Sequence, residues 1–293
     1  MLNTEHYPLV SVVIPTYNRK NVLQEAIESV LSQTYPYWEI IIVDDGSTDG
    51  TDTVVKSQYA KYSSIRYLAL KNGGAAVARN RGAAQANGYF ITFLDSDDLA
   101  YPTWLEDLVS KALASGAPLV SCGTMRYEDG RDPFPVLPKL SGGVYHDYRV
   151  KMTNAGAFML RKTLFDQVGG YDVEIRSGQH TELGVRITQH LKQEGLFVSC
   201  VDKPLIKIID RGGGSIRKSD RAVFEGSTHF LKKHGDYVKK VDQKMYFDYL
   251  NVAGVRGRRA GETATARKYL LQAIKIRPLA VKSWYRLLLT FIS

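Results

Sequence analysis

The chain of 293 residues is long enough for one large α/β domain, or for a domain with an extension, and its 44% hydrophobic and 24% charged residues are ordinary for a globular protein. Its two cysteines, Cys122 and Cys200, exclude a disulfide framework and a cysteine-based metal site, so both are expected to be small core residues. The N-terminus has no basic segment leading into a long apolar run, which predicts a cytoplasmic protein without a membrane span.

The net charge of +9 is distributed unevenly. Residues 1–200 contain 19 Lys and Arg against 22 Asp and Glu, a net charge of −3, whereas residues 201–293 contain 20 against 8, a net charge of +12. A basic tail on a nearly neutral body predicts an anionic partner surface. The tail carries no recognisable nucleic-acid-binding motif, so a membrane surface is favoured over nucleic acid, with a merely solvated helical face as the alternative.

Apolar strands and helical patterns alternate through the first hundred residues, which is typical of a mostly parallel sheet covered by helices. Helical spacing follows the first strand through Val22–Leu31, and an Ala-rich helix follows Gly73 and Gly74. Thr51 is expected to cap the helix after the second strand, and Pro102 to lie in the first turn of a later helix. The predicted strands are Leu9–Pro15, Glu39–Val43, Ile65–Leu70 and Tyr89–Leu94.

The pattern changes in the second half of the chain. Residues 118–210 combine short strands with one clear helix at Glu182–Gln193, and the chain is helical after Gly212–Gly214. We therefore expect a catalytic domain at 1–215, with a nucleotide-binding half at about 1–100 and an acceptor half at about 101–215. Residues 216–293 are expected to form a basic helical extension.

Polar and acidic residues follow three of the predicted strands. They are Thr16-Tyr17-Asn18, Asp44-Asp45 and Asp95-Ser96-Asp97-Asp98. Ligands on open parallel sheets bind beyond the carboxyl ends of the strands, so these loops are expected to line one edge. Clustered carboxylates usually persist because a cation neutralises them, and a divalent cation with phosphate oxygens is the usual way to hold a nucleoside diphosphate.

Four motifs in order carry a resemblance to a known family. They are Val12-Val13-Ile14-Pro15-Thr16-Tyr17-Asn18, Ile42-Val43-Asp44-Asp45-Gly46-Ser47-Thr48-Asp49, Ala78-Arg79-Asn80-Arg81-Gly82 and Asp95-Ser96-Asp97-Asp98. Over about residues 8–215 the chain resembles glycosyltransferase family 2. This resemblance implies the GT-A fold, a Rossmann-like α/β architecture with a mixed, mostly parallel sheet, and inverting transfer of a sugar from a nucleoside-diphosphate donor.

The resemblance implies roles for the residues that border the nucleotide. Pro15, Thr16 and Tyr17 would border the base and ribose, with the Tyr17 ring available for stacking. Asp45 would accept a hydrogen bond from the base, and Asp44 would brace the turn.

The same resemblance assigns the phosphate and sugar side. Arg79 would reach towards the nucleotide, with Asn80 supporting its loop. Asp95 and Ser96 would lie near the ribose or the sugar hydroxyls. Asp97 would bind the Mn²⁺ or Mg²⁺ that stabilises the charge of the leaving diphosphate.

The chain departs from the family pattern at the catalytic base. An acidic pair is expected after the turn Gly169-Gly170-Tyr171-Asp172, but Gln179 and His180 occupy its place. Histidine is a competent base near neutral pH, and Glu182 lies two residues further on. We expect one of the two to accept the acceptor proton, and we favour Glu182 because a carboxylate preserves the family's chemistry.

Family members commonly add a metal or phosphate ligand near the end of the catalytic domain. The corresponding stretch here begins at Ile209, so Asp210 would bind the metal and Arg211 would pair with the diphosphate. The glycines at Gly212–Gly214 would let this loop close over the donor.

The end of the sequence and its missing acidic pair suggest two further expectations. Apolar residues with Trp284 and Tyr285, flanked by Lys and Arg, predict an interfacial helix that contacts a membrane, or else a helix packed on the protein. A membrane-bound, polyprenyl-linked acceptor in surface polysaccharide synthesis would suit such a contact. The alternative to an enzyme is a catalytically silent subunit that binds nucleotide sugars.

Overall fold

The computed structural model describes residues 7–138, 152, 154–211 and 219–292. The chain divides into two compact units. Unit one comprises Met1–Tyr171 and Leu183–Arg211, and unit two comprises Asp172–Glu182 and Gly212–Ser293. The expected domain boundary at residue 215 and the glycine loop before it lie outside the described residues, so both stay predictions.

Unit one contains a mixed sheet of nine strands within the described residues. The strands are β1 (Val10–Thr16), β2 (Trp38–Asp44), β3 (Ile65–Ala69), β4 (Phe90–Phe93), β5 (Leu99–Ala100), β6 (Leu119–Tyr127), β7 (Phe134–Val136), β8 (Phe158–Arg161) and β9 (Val198–Ile209). They lie in the order β3-β2-β1-β4-β8-β6-β9-β5, with β7 paired to β6. The pairs among β3, β2, β1 and β4 are parallel, whereas β8 pairs antiparallel with both β4 and β6.

Helices connect and flank these strands. They are α1 (Lys20–Leu31), α2 (Thr51–Tyr59), α3 (Ala75–Ala84), α4 (Trp104–Ser115), α5 (Lys162–Gln167) and α6 (Gln179–Gln193), with a 3-10 turn at Ala155–Ala157. Helix α6 begins in the unit-two segment and continues into unit one. The α/β class and the four strands predicted in the first hundred residues are therefore confirmed, with bounds that differ by at most one residue.

The central strands β1, β2 and β4 are buried on both faces of the sheet, which explains why they read as continuous apolar runs. Side chains of β1 alternate between two clusters. Val12 and Ile14 join the cluster that contains residues of α1 and α4, whereas Val13 joins the cluster that contains residues of α3. This two-sided packing leaves the strand ends as the place where polar side chains collect.

Two local expectations were wrong. Thr51 does not cap α2, because its own amide and hydroxyl both donate to Asp49 Oδ1, at 3.1 and 2.5 Å. Pro102 precedes α4 rather than lying in its first turn, since the helix begins at Trp104. Of the two cysteines, Cys122 is buried as expected, and Cys200 only partly so.

Unit two is helical over most of its described length. Its helices are α7 (Asp220–Val241), α8 (Gln243–Arg259), α9 (Thr263–Ile276) and α10 (Val281–Leu288), followed by a 3-10 turn at Leu289–Phe291. Close helix approach depends on glycine, because a Cβ at Gly254 would lie 2.4 Å from the Leu270 side chain and one at Gly257 would lie 2.8 Å from Phe224. Leu250, Ala253, Leu231 and Ala273 form a small buried cluster among these helices. Among the described residues, no helix combines the length and apolar character that crossing a bilayer requires.

Candidate active site

The loops after β1 and β2 are tied together by hydrogen bonds. The Asp45 amide donates to the Thr16 carbonyl at 2.8 Å. Asn18 adopts a left-handed conformation with φ of 51°, its amide donates to Ser47 Oγ, and its Oδ1 accepts from the Thr48 amide, both at 2.8 Å. Asn tolerates this backbone region better than most residues, so the sequence suits the turn. The two loops therefore form one supported edge.

Asp44 braces this edge from within. It is 2% exposed, its Oδ1 accepts from the Ser47 amide at 2.7 Å, and its Oδ2 accepts from the Tyr67 hydroxyl at 2.6 Å. Burial, followed by this hydrogen bond to Asp44, raises the pKa of Tyr67 well above its ordinary value. The contacts match the bracing role expected for Asp44.

Asp45 reaches a different pair of donors. The side chain is buried, and its two oxygens accept from the amides of Gly73 and Gly74 at 2.8 and 2.7 Å. These amides stand immediately before α3, so the carboxylate fixes the start of that helix. Sequence reasoning gave Asp45 a contact with the base and missed this role, because the partners lie 28 and 29 residues away without any local signal.

Arg79 on α3 forms an ion pair with the acidic loop after β4. Its guanidinium lies 2.6 Å from Asp95 Oδ1 and 5.3 Å from the centre of the Tyr171 ring, and the side chain is only 7% exposed. Asn80 holds the same tyrosine by its backbone, donating to the Tyr171 carbonyl and accepting from the Tyr171 amide, both at 2.8 Å. The Arg79–Asp95 pair thus joins α3 to the end of β4, a contact that the sequence did not predict.

Asp97 lies among charges of both signs. Arg19 is 3.4 Å from its Oδ2, and both side chains are 33% exposed. Burial, followed by the negative charge of Asp95, raises the pKa of Asp97, although the positive charges of Arg19 and Arg211 oppose the shift. The site is therefore short of positive charge despite its arginines. Carboxylate oxygens in such a place fit a hard divalent cation.

The remaining candidates of this edge differ in exposure. Pro15, Thr16 and Ser96 are buried, whereas Tyr17 is 49% exposed and its ring is available for stacking. Thr16 Oγ1 is buried, and no described residue offers it a hydrogen bond. A buried hydroxyl of this kind is costly unless a ligand or water satisfies it.

The segment after β9 comes near the same carboxylates. Asp210 is exposed, and its amide donates to the Tyr127 carbonyl at 3.0 Å. Arg211 pairs with Glu25 at 2.7 Å, and its charge acts on Asp97. The loops after β1, β2, β4 and β9 thus lie at one edge of the sheet. Arg19 and Glu25 also contact residues of this edge, and sequence reasoning missed both of them. Arg19 lies immediately before α1 and Glu25 lies on α1, so both follow β1. Their position after a strand that ends at the predicted edge was the signal in the sequence that could have identified them.

The candidate bases lie in the Asp172–Glu182 segment of unit two. His180 stands in the first turn of α6 and is partly exposed. Glu182 is 0% exposed, with its Oε1 2.9 Å from His234 Nε2 and 3.0 Å from Lys233 Nζ. A fully buried carboxylate shared by two basic partners is poorly placed to meet an acceptor hydroxyl, which favours His180, and the choice between Glu182 and His180 stays a prediction. His234 and Lys233 were missed, since they lie about fifty residues further along the chain.

The fold and the edge define an α/β domain whose mixed sheet carries acidic and polar loops at the carboxyl ends of its strands. The family model for glycosyl transferase family 2 matches residues 11–171, and the chain belongs to this family.

Known relatives are similar over part of their length. TuaG of Bacillus subtilis, named as a teichuronic acid biosynthesis glycosyltransferase, is 45% identical over 113 residues, which are 38% of this chain and 42% of TuaG. Glycosyltransferase GlyG of Streptococcus pneumoniae is 38% identical over 127 residues, which are 43% of this chain and 42% of GlyG. The matched part thus spans less than half of these relatives.

Solved structures resemble the chain over almost its whole length. TarS 1–349 of S. aureus, in complex with UDP-GlcNAc, has a TM-score of 0.67 at 19% identity and covers 97% of this chain and 89% of its own. The mannosyltransferase PcManGT of Pyrobaculum calidifontis, in complex with GDP-Man and Mn²⁺, has a TM-score of 0.63 at 18% identity, covering 97% and 85%. At these identities the likeness concerns the fold, which is the GT-A fold that the sequence motifs implied.

Proposed function

We propose that the chain is an inverting, metal-dependent glycosyltransferase that moves a sugar from a nucleoside-diphosphate donor to a glycan or polyprenyl-linked acceptor in surface polysaccharide synthesis. The observation that carries this proposal is the strand edge of unit one, which collects the braced turns after β1 and β2, the Arg79–Asp95 pair, and Asp97 beside Arg19. A UDP-sugar is the favoured donor, because TarS, a protein of this fold, was solved with UDP-GlcNAc. The relative TuaG is named for teichuronic acid biosynthesis, which supports a role in surface polysaccharides.

A divalent cation, Mn²⁺ or Mg²⁺, is part of the proposal. Asp97 would hold it, with Asp95 beside it and Asp210 as a further carboxylate from the loop after β9. The cation would stabilise the charge that develops on the leaving diphosphate. The raised pKa of Asp97 supports this assignment, since a nearby cation would relieve the shortage of positive charge. Pro15, Thr16, Tyr17, Asp44, Asp45 and Ser96 would border the nucleotide or support its loops.

We assign the proton transfer to His180 and a supporting role to Glu182. As the bond from the acceptor oxygen to the anomeric carbon forms and the bond to the diphosphate oxygen breaks, the acceptor hydroxyl loses its proton to the imidazole of His180. An imidazole with an ordinary pKa of about 6.5 is available as a base at neutral pH. The partial exposure of His180, against the complete burial of Glu182, supports this order.

Binding and turnover measurements test the proposal. Calorimetry with UDP and GDP, each with Mn²⁺ or with EDTA, should show metal-dependent binding, and a donor panel should then identify the sugar that is transferred. His180→Ala should abolish transfer while leaving nucleotide binding unchanged. Binding of neither nucleotide would contradict the proposal. Nucleotide binding without turnover of any donor would instead favour the silent subunit that the Gln179-His180 replacement suggests.

Contact with an anionic membrane is a further part of the proposal, and α10 supports it. Val281, Trp284, Tyr285 and Leu288 follow one another at helical spacing and are 77%, 46%, 62% and 60% exposed. Leu279 and Ile292 extend this apolar stripe with exposures of 94% and 78%. Trp and Tyr are typical of membrane interfaces, and nearby lysines suit an anionic leaflet.

A matched pair of substitutions tests the membrane contact. Leu288→Glu, in the stripe, should weaken binding to phosphatidylserine vesicles at least about tenfold, because burying a leucine contributes about 1.5–3 kcal/mol. Leu113→Glu is the control, since Leu113 is 50% exposed on α4 outside the stripe. Equal binding of both variants, or equal binding to phosphatidylcholine vesicles, would contradict an anionic membrane contact.

A further inference from the structure

The two ends of the His180 segment are bound by one lysine. Lys233 on α7 lies 2.5 Å from Asp172 Oδ2 and 3.0 Å from Glu182 Oε1, so its ammonium bridges the first and last residues of the segment Asp172–Glu182. Partial burial alone would raise the pKa of Asp172, but the hydrogen bonds from Lys233 and from the Glu174 amide hold this pKa below its ordinary value. The ionised carboxylate is therefore the form that the structure favours.

Two histidines of the same helix strengthen these end contacts. His229 Nε2 lies 3.1 Å from Asp172 Oδ2, and His234 Nε2 lies 2.9 Å from Glu182 Oε1. Glu182 is 0% exposed and the His234 side chain is 6% exposed. A carboxylate removed from water to this extent requires partners, so removal of either partner has a large effect on the segment.

The middle of the segment rests on the backbone of α7 and on α8. A Cβ at Gly226 would lie 2.2 Å from the Ser177 carbonyl oxygen, so only glycine permits the observed approach. The hydroxyl of Tyr249 lies 3.7 Å from the position of a Cβ at Gly178, and its ring stacks on Phe230 with centroids 4.0 Å apart. The segment is thus supported at both ends and in the middle by helices that the family model does not cover.

The same cluster contains three possible metal ligands, but part of its negative charge is already offset without a metal ion. Asp172, Glu174 and His229 each offer a ligand atom, and these atoms lie within 4.8 Å of one another. The Lys233 ammonium already lies against Asp172, so positive charge is supplied by the chain itself. The arrangement is that of an ion-pair network that fixes a loop.

We propose that Lys233, His234 and Gly226 are positioning residues for catalysis, through which the C-terminal helices hold His180 in its working position. This inference rests on the proposed role of His180 as the base. Displacement of a catalytic group by about 1 Å can cost about 100-fold in rate, so a loosened segment lowers kcat. Helices α7 and α8 would accordingly support the catalytic group from outside the part of the chain that the family model covers.

Variants of Lys233 test the positioning role. Lys233→Met should lower kcat at least tenfold while the KM for the donor and the affinity for UDP stay within about twofold of wild type. Lys233→Arg, which keeps the charge and the donors, should restore most of the rate. Lys232→Met is the matched control, because Lys232 is exposed on the same helix and should leave the kinetics unchanged.

Gly226→Ala provides a second test that removes no charge. The added methyl group must displace the Ser177 backbone, so kcat should again fall with UDP affinity retained. Wild-type kcat in both Lys233→Met and Gly226→Ala would overturn the positioning role, as would a loss of UDP affinity that parallels the loss of rate. Full activity of His180→Ala would instead remove the base assignment itself, so the two failures are distinguishable.

Discussion

The Asp45→Asn substitution tests whether the Asp45 carboxylate stabilises the fold or serves only to bind the nucleotide base. In the wild type both oxygens accept backbone amides, from Gly73 and Gly74 at 2.8 and 2.7 Å. Asparagine retains one acceptor but turns an NH₂ group towards the other amide. A hydrogen bond to a charged group contributes about 1.5–3 kcal/mol, and a buried donor without an acceptor costs about 1–3 kcal/mol.

We therefore expect Asp45→Asn to lower the free energy of unfolding by about 3 kcal/mol without any nucleotide present. For a unit of this size, 1 kcal/mol corresponds to about 2–4 °C in Tm, so the expected decrease is about 6–12 °C. Calorimetric unfolding at pH 7 measures it, with Asp202→Asn as the control because Asp202 is exposed on β9. A Tm for Asp45→Asn equal to that of the control would refute the reasoning and would leave Asp45 with a ligand-binding role only.

Three further predictions concern charge and packing. Asp97→Asn should raise the Tm of the metal-free protein slightly, because burial and Asp95 disfavour the ionised carboxylate. The same substitution should weaken Mn²⁺-dependent UDP binding in calorimetry. Unchanged binding would exclude Asp97 as the metal ligand. Gly82→Ala should destabilise the protein by about 1–3 kcal/mol in chemical denaturation, since its Cβ would lie 2.4 Å from Val13 Cγ1, and wild-type stability would contradict the close approach. The pKa of Asp172 is lowered in the folded state, so its stabilisation is complete above about pH 4 and is lost as the pH falls through the folded pKa. The advantage of wild type over Asp172→Asn in denaturant titrations should therefore shrink as the pH falls below about 4, and a constant advantage would speak against the ion pair.

The parts of the fold that the sequence predicted are those governed by local pattern. The buried strands β1, β2 and β4 appear as short apolar runs, and they and the half-buried β3 were located within one residue. The loops at their carboxyl ends then followed from the rule that such ends share an edge, and the bracing role of Asp44 was implied by the family resemblance.

The contacts that the sequence did not predict join residues far apart in the chain. The amides that bind Asp45 lie immediately before α3, and the arginine that pairs with Asp95 lies on α3. Nothing in their spacing indicates which carboxylate each will meet. Glu182 shows the same difficulty more strongly, because it looked like a favourably placed residue at a helix start. Only the position of Lys233 and His234, set by packing of α7, reveals it as a buried partner.

Because the chain is synthesised from its N-terminus, Lys233, which bridges Asp172 and Glu182, emerges after both of them. Glu182 leaves the ribosome about 50 residues before Lys233, which at 5–20 residues per second is an interval of about 3–10 s. During that interval Asp172, Glu182 and the histidine between them have no α7 to bind them. A nascent chain whose last strand, β9, has emerged therefore still has an unanchored Asp172–Glu182 segment. Competence for transfer should therefore arise late in synthesis, when α7 has emerged, and not when the sheet closes.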